Sequence, residues 1–245
     1  MTDLLMIHGM LGSIDYFEPQ RYLPDVRLHT PDMIGYGRQR STEHGIDLHS
    51  QADAIVRRLR EDLRAPAWLL GHSIGGIVAM LAADRAPDRV RGLISVEGNF
   101  TLKDAFWTGH IAALPEAEWA AEYGAMEDAP AAWLERIGIE ASDERIAWAR
   151  EILQNQPYST IQRMAQSVLD VTGAPDYLEL VRRVFGRIPV YLIGGELSAA
   201  GWDVPEWALA SARRIDVQPK TGHMMMLEDP AGFCRLVDAI LRTPA

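Results

Sequence analysis

The sequence predicts an α/β fold: a mostly parallel central sheet of about six strands, flanked by helices and interrupted by a helical insert. Three observations carry this. Short apolar runs alternate with helical patterns over roughly the first hundred residues. From about Thr101 to Gly186 the strand signal fades, and helical patterns punctuated at Pro115, Pro130, Pro157 and Pro175 take over. Strands then return. Parallel strands need crossover connections, and those connections lay helices over both faces of a sheet.

Leu4 to Ile7 and Val26 to His29 are the first two strands by this pattern. Leu48 to Leu63 carries apolar residues at Ile55, Val56, Leu59 and Leu63, which is helical spacing. Trp68 to Leu70 is a strand, Ile74 to Arg85 a helix stopped before Pro87, and Leu93 to Val96 a strand. After the insert, Val190 to Ile193 and Arg214 to Val217 complete the sheet. The last helix runs from Pro230 to Leu241, with Asp229 as N-cap and Pro230 in the first turn. The predicted division is a core of residues 1–100 and 187–245 and a helical cap, or lid, of residues 101–186.

Composition narrows the function. The chain has 245 residues, 48% of them apolar, so a sizeable core can be buried. Asp plus Glu number 34 against 24 Lys plus Arg, a net charge of −10, which argues against a nucleic-acid binder. The lone cysteine, Cys234, permits no internal disulfide and reads as a small buried residue. The start, MTDLLMIHGM, lacks a basic region and a long apolar run, and no apolar run reaches the roughly 18 residues of a membrane span. A soluble cytoplasmic protein with no membrane partner is the default; the motifs below add the expectation of a small-molecule substrate with an apolar portion and of no cofactor or metal.

The chemistry centres on GHSIGG, residues 71–76. Gly71, Ser73 and Gly75 fit G-x-S-x-G, directly after a strand and before a helix. A tight strand-to-helix turn projects Ser73 at the sheet edge over a helix N-terminus, and its neighbours must be small. A serine hydroxyl still needs a base. His223, in Thr221-Gly222-His223-Met224, follows the last strand and precedes a capped helix, and it is the candidate base. An oxyanion needs backbone N–H donors. Ile74, just past the nucleophile, and Met10, in His8-Gly9-Met10 after the first strand, are the candidates, with Gly9 permitting unusual dihedrals and His8 bracing the loop. The histidines at 29, 44, 49, 72 and 110 lack a comparable setting.

Together HGMLGS, DMIGYGRQR, GHSIGG, RAPDRVRGLI and GHMMMLEDP resemble the α/β-hydrolase fold family over most of the core. The resemblance implies Ser73 as nucleophile, His223 as base and the insert as a lid. It also implies that the family's leading hairpin is missing. One position departs from the family pattern. Its usual acid follows the penultimate strand in G-x-x-D, and here that stretch is Gly195-Glu196-Leu197-Ser198. A neutral Ser198 cannot stabilise an imidazolium as a carboxylate does. The acid is therefore assigned to Glu97, at the end of the strand Leu93 to Val96, a place the acid occupies in a variation of the family. Glu196 and Asp203 compete for the role, as does a bare Ser-His dyad, and Ser198 is expected to contribute almost nothing.

The predicted activity is hydrolysis of a carboxylic ester, lactone or thioester through an acyl-enzyme. A carbon–carbon or hydroxynitrile lyase on the same machinery, or a hydrolase-like ligand receptor, are the alternatives. HGMLGS is similar to the HGFLGS of a menaquinone-pathway lyase, while a haloalkane dehalogenase is disfavoured because its nucleophile is aspartate. Trp107, Trp119, Trp133 and Trp148 are expected mainly to pack the insert on the core. Arg182, Arg183 and Arg187 are expected on a solvated helix face, with recognition of a carboxylate or phosphate as the alternative.

Overall fold

The computed structural model describes residues 1–243. Six strands form one sheet: β1 (Thr2–Ile7), β2 (Val26–His29), β3 (Ala67–His72), β4 (Val90–Val96), β5 (Val190–Gly195) and β6 (Arg214–Gln218). Every pairing is parallel, in the order β2-β1-β3-β4-β5-β6. The predicted strands therefore stand where the apolar runs placed them. Strands β3 and β5 are buried along their whole length, as expected when helices cover both faces.

Helices α1 (Leu48–Glu61) and α2 (Ile74–Arg85) alternate with the early strands. Between β4 and β5 lie α3 (Phe106–Ala113), α4 (Glu116–Asp128), α5 (Pro130–Arg136), α6 (Asp143–Gln154), α7 (Tyr158–Thr172) and α8 (Tyr177–Arg187). Then come α9 (Glu206–Ser211), α10 (Met225–Glu228) and α11 (Pro230–Leu241). The Asp229 side chain accepts the Gly232 N–H at 2.8 Å, capping α11. Cys234 lies on the buried side of α11, and burial pushes its thiol up to about 12. Among the described residues no helix is long and apolar enough to cross a membrane.

The topology prepares a crevice. The chain steps outward from β1 to β2, then crosses back so that β3 pairs with the other side of β1. The carboxyl ends of two strands at such a switch point diverge into helices on opposite faces and leave a gap between them. Extending the observed registers by one or two residues lines up Gly9, Ser73, Glu97 and Gly194 in one row along this edge.

Candidate active site

Ser73 occupies the turn between β3 and α2 with φ 53° and ψ −124°, a conformation that side chains other than glycine rarely hold. Such a residue costs of order 1–3 kcal/mol and persists where its surroundings overdetermine it. They do so here by close approach. A Cβ on Gly71 would lie 2.2 Å from the Gly75 carbonyl oxygen, and one on Gly75 would lie 2.4 Å from that of Ile7. Only glycine lets α2 start against β1 and β3. The Ser73 N–H donates to the Val96 carbonyl at 2.9 Å, which ties the turn to β4.

The loop after β1 is braced by His8. Its Nδ1 bonds the Gly9 carbonyl at 2.8 Å, and its Nε2 accepts the Met33 N–H at 3.3 Å. One ring nitrogen donates and the other accepts, which is the neutral imidazole, and burial lowers its pKa to about 4. The expectation for Gly9 needs correction. Its φ is not positive; it is glycine because a Cβ there would sit 2.8 Å from His72 Nδ1. The left-handed residue of the loop is Gly12, at φ +107°. Among the described residues neither the Met10 nor the Ile74 N–H is spent on a hydrogen bond, and both residues line the cavity described below.

His223 is exposed on its loop after β6, and its Nδ1 lies 2.6 Å from Glu97 Oε2. Glu97 is buried and itself has a positive φ of 43°, turning its side chain over the strand ends. Its second oxygen, Oε1, accepts the Gly195 N–H at 2.8 Å and the Ser198 hydroxyl at 2.5 Å. Burial works to raise the Glu97 carboxyl, but the hydrogen bond and charge of His223, with the Ser198 and Gly195 donors, outweigh it and hold the group below its usual value. His72 Nε2 bonds the His223 carbonyl at 2.9 Å and its ring stands 4.8 Å from that of His223. Burial, together with the neighbouring His223, lowers the His72 pKa to about 3, so it braces the loop as a neutral ring.

Ser73, Glu97, Ser198, His223, Met10 and Ile74 all line one cavity of about 940 Å³. No hydrogen bond joins Ser73 to His223 among the described residues. Phe106, Trp107, Trp133, Ile137, Ile139, Leu197, Trp202 and Met224 make most of the wall apolar. Among the described residues no group of three or more His, Cys, Asp or Glu side chains stands where it could hold a metal.

The profile of the Alpha/beta hydrolase family matches residues 4–236. The chain belongs to that family. Curated relatives include a pimeloyl-[acyl-carrier protein] methyl ester esterase of Yersinia enterocolitica, 40% identical over 111 residues, spanning 44% of this chain and 41% of the relative. The chain thus spans well under half the length of these relatives. An esterase of the same description from Pectobacterium carotovorum is 25% identical over 97% of this chain and 93% of its own. Among solved structures, a thermophilic esterase from Thermogutta terrifontis superposes with a TM-score of 0.76 at 21% identity, covering 99% of this chain and 90% of the other, a likeness of fold.

Within this α/β hydrolase the competing carboxylates are engaged elsewhere. Glu196 Oε2 accepts the Lys220 N–H at 2.7 Å, and Asp203 takes the Thr101 hydroxyl at 2.6 Å with Lys103 Nζ at 3.5 Å. Neither lines the cavity. Ser198, expected to contribute almost nothing, donates its hydroxyl to Glu97 Oε1. His72 carries no motif that marks it in the sequence, and its contact with His223 spans 151 residues. Of the tryptophans, Trp119 is buried and donates to the Tyr158 carbonyl at 2.8 Å, and Trp148 packs against Tyr16. Trp107 and Trp133 pack and also face the cavity. Arg183 and Arg187 pair with Asp84 of α2, and Arg182 stacks 4.0 Å over the Trp207 ring, all away from the cavity.

Proposed function

We propose that this protein is a serine hydrolase that cleaves a carboxylic ester, a lactone or a thioester through an acyl-enzyme on Ser73. One juxtaposition supports the reading above all. A strained serine at a helix N-terminus and an imidazole already bonded through Nδ1 to a buried carboxylate open into the same largely apolar cavity. With its Nδ1 proton donated to Glu97, His223 presents Nε2 as a proton acceptor.

In this reading Ser73 Oγ attacks the ester carbonyl while its proton passes to His223 Nε2. The carbonyl oxygen becomes an anion held by the Met10 and Ile74 N–H groups, aided by the positive end of α2. Glu97 stabilises the imidazolium and keeps its orientation. Collapse of the tetrahedral species expels the alcohol, or thiol, with the proton from His223. Water, activated by the same imidazole, then releases the acid and frees Ser73. The residues of the insert that face the cavity, Trp107 and Trp133 among them, would contact the acyl chain and set chain-length preference, the role of a lid.

A fluorophosphonate probe should label the wild type once per chain, and Ser73→Ala should abolish the label. Hydrolysis of p-nitrophenyl butyrate, and of the methyl ester of an apolar-chain acid, should follow. Ser73→Ala and His223→Ala should each lower kcat by roughly 10⁴-fold or more, and their combination by little more than either alone. Near-wild-type turnover by Ser73→Ala would sink the mechanism. Labelling without ester hydrolysis would move the reading to a lyase, and no labelling at all to a binding protein.

A further inference from the structure

We propose that Asn155 and Gln156, at the end of α6, are positioning residues for the oxyanion loop, so that the insert takes part in transition-state stabilisation as well as substrate choice. This rests on the proposed role of the Met10 N–H. The two candidate donors differ in how they are held. Ile74 is the first residue of α2, and its amide direction is set by the helix. Met10 lies on a loop, and a loop amide points where its neighbours hold it.

Those neighbours come largely from the insert. Gly12 stands two residues beyond Met10. Its N–H donates to Gln156 Oε1 at 3.0 Å, and its carbonyl accepts from Asn155 Nδ2 at 2.7 Å. Both polar groups of one backbone residue are thus taken by two consecutive side chains, each more than 140 residues away in sequence. Gln156 is fully buried, and its amide nitrogen donates to the Ile152 and Leu153 carbonyls at 3.0 and 3.3 Å and to the Tyr123 hydroxyl. With the nitrogen so committed, Oε1 has to face Gly12. The Asn155 carbonyl in turn accepts the Gly37 N–H at 2.8 Å, which anchors the clamp to the core. From the other side Tyr36, also fully buried, donates its hydroxyl to the Met10 carbonyl at 3.0 Å.

Among the described residues no buried side-chain polar atom of Tyr36, Tyr123 or Gln156 lacks a partner, the condition under which a buried polar network rigidifies its site. Removing one member leaves a buried amide or carbonyl unpaired and lets Gly12, already at φ +107°, swing the loop. A donor helps only if it meets the oxyanion at about 2.7–3.1 Å, so small displacements of Met10 lower kcat while leaving ground-state binding alone.

The experiment uses Asn155→Asp, which keeps shape but replaces the donor, and Gln156→Met, which removes the acceptor. Active sites are counted by fluorophosphonate titration. Then kcat, KM and the affinity for an alkyl trifluoromethyl ketone, whose serine adduct carries an oxyanion, are measured per titrated site. Each variant should lose about tenfold to hundredfold in kcat with KM little changed, less than or up to the loss of one whole donor. Ketone affinity should fall by the same factor, and the double variant should fall short of the product because both side chains act on Gly12. Unchanged kcat and ketone affinity per site overturn the proposal, even if fewer sites titrate or the melting temperature drops, since that is the outcome of a purely structural role. A wild type that takes no label shows instead that the parent reading has failed, before any variant is compared.

Discussion

The proposed acid–base side of the site and its proposed oxyanion side are held by different parts of the chain. Glu97, Gly195, Ser198 and His223 all lie on or just past β4, β5 and β6, and the bonds joining them stay within the α/β core. Strand register places them, because Glu97 follows Val96, which pairs with His72 on one side and Ile193 on the other. Met10 and Gly12 sit in a loop whose backbone is bonded by Tyr36 of the core and by Asn155 and Gln156 of the insert. Charged groups need a buried partner and find one along a sheet edge. Backbone donors need only direction, and a loop acquires direction from whatever packs over it. A change in the core should therefore alter proton transfer, and a change in the insert should alter oxyanion binding.

The largest break of this contrast is at Glu97. Glu97→Gln should reduce kcat by about 10² to 10⁴, the upper figure being that for aspartate loss in a serine triad. Glu196→Gln and Asp203→Asn should stay within about twofold of wild type, their partners lying outside the cavity. If the Glu97 variant is fully active and either of the others is dead, the acid–base side has been drawn from the wrong residues.

Acid should strain the two sides unequally. His8, on the oxyanion side, and His72, at the junction, have folded pKa values lowered to about 4 and about 3. Unfolded, both titrate near 6.5, so below that pH the unfolded chain binds protons that the folded chain refuses. Stability should fall as pH drops from about 6.5 towards 4, by about 1.4 kcal/mol per unit for each histidine. Glu97, held below its ordinary value, keeps its stabilising contribution above the ordinary carboxylate range and loses it as pH falls from there through its lower folded value. Urea unfolding of the wild type and His8→Asn between pH 7 and 4.5 isolates the His8 share, because the other carboxyls cancel in the difference. Equal slopes for the two proteins would contradict a neutral, buried His8.

The smallest effect sharpens the comparison within the acid–base side. Ser198→Ala removes one of two donors on Glu97 Oε1 and leaves the Gly195 N–H. A net hydrogen bond of about 0.5–1.5 kcal/mol corresponds to roughly a two- to tenfold loss in kcat. Ser198→Thr, which keeps the hydroxyl, should recover most of it. No change in either variant would return Ser198 to the idle role that its neutrality suggested.

Much of the fold was legible because parallel strands buried on both faces write continuous apolar runs into the sequence, as in Trp68-Leu69-Leu70 and Leu93-Ile94-Ser95-Val96. Ser73 was legible as a candidate because a crowded turn admits only glycine beside it, and His223 as a candidate from its place on the loop between the last strand and a capped helix. Glu97 was readable by a subtler route, as a carboxylate at a buried strand end facing a neutral residue in the family's ordinary acid position. Its partners were not. Ser198 donates across 101 residues of sequence, His72 reaches His223 across 151, and Gln156 reaches Gly12 across 144. No local pattern marks such pairs, since asparagine, glutamine and serine are also the ordinary residues of helix ends and turns.

By itself, then, the sequence determined the strand order of events along the chain, the residue types at the turn and the chemical groups available, because those follow from local sterics and from hydrophobic period. The sequence favoured Glu97 over Glu196 and Asp203, and the tertiary structure brings its carboxylate to the imidazole; tertiary structure alone decided that Ser198 bonds Glu97 and that the insert grips the loop beside Met10. A hydrogen bond is sensitive to a few tenths of an ångström, and that distance is set by how whole strands and helices pack, which no single segment encodes.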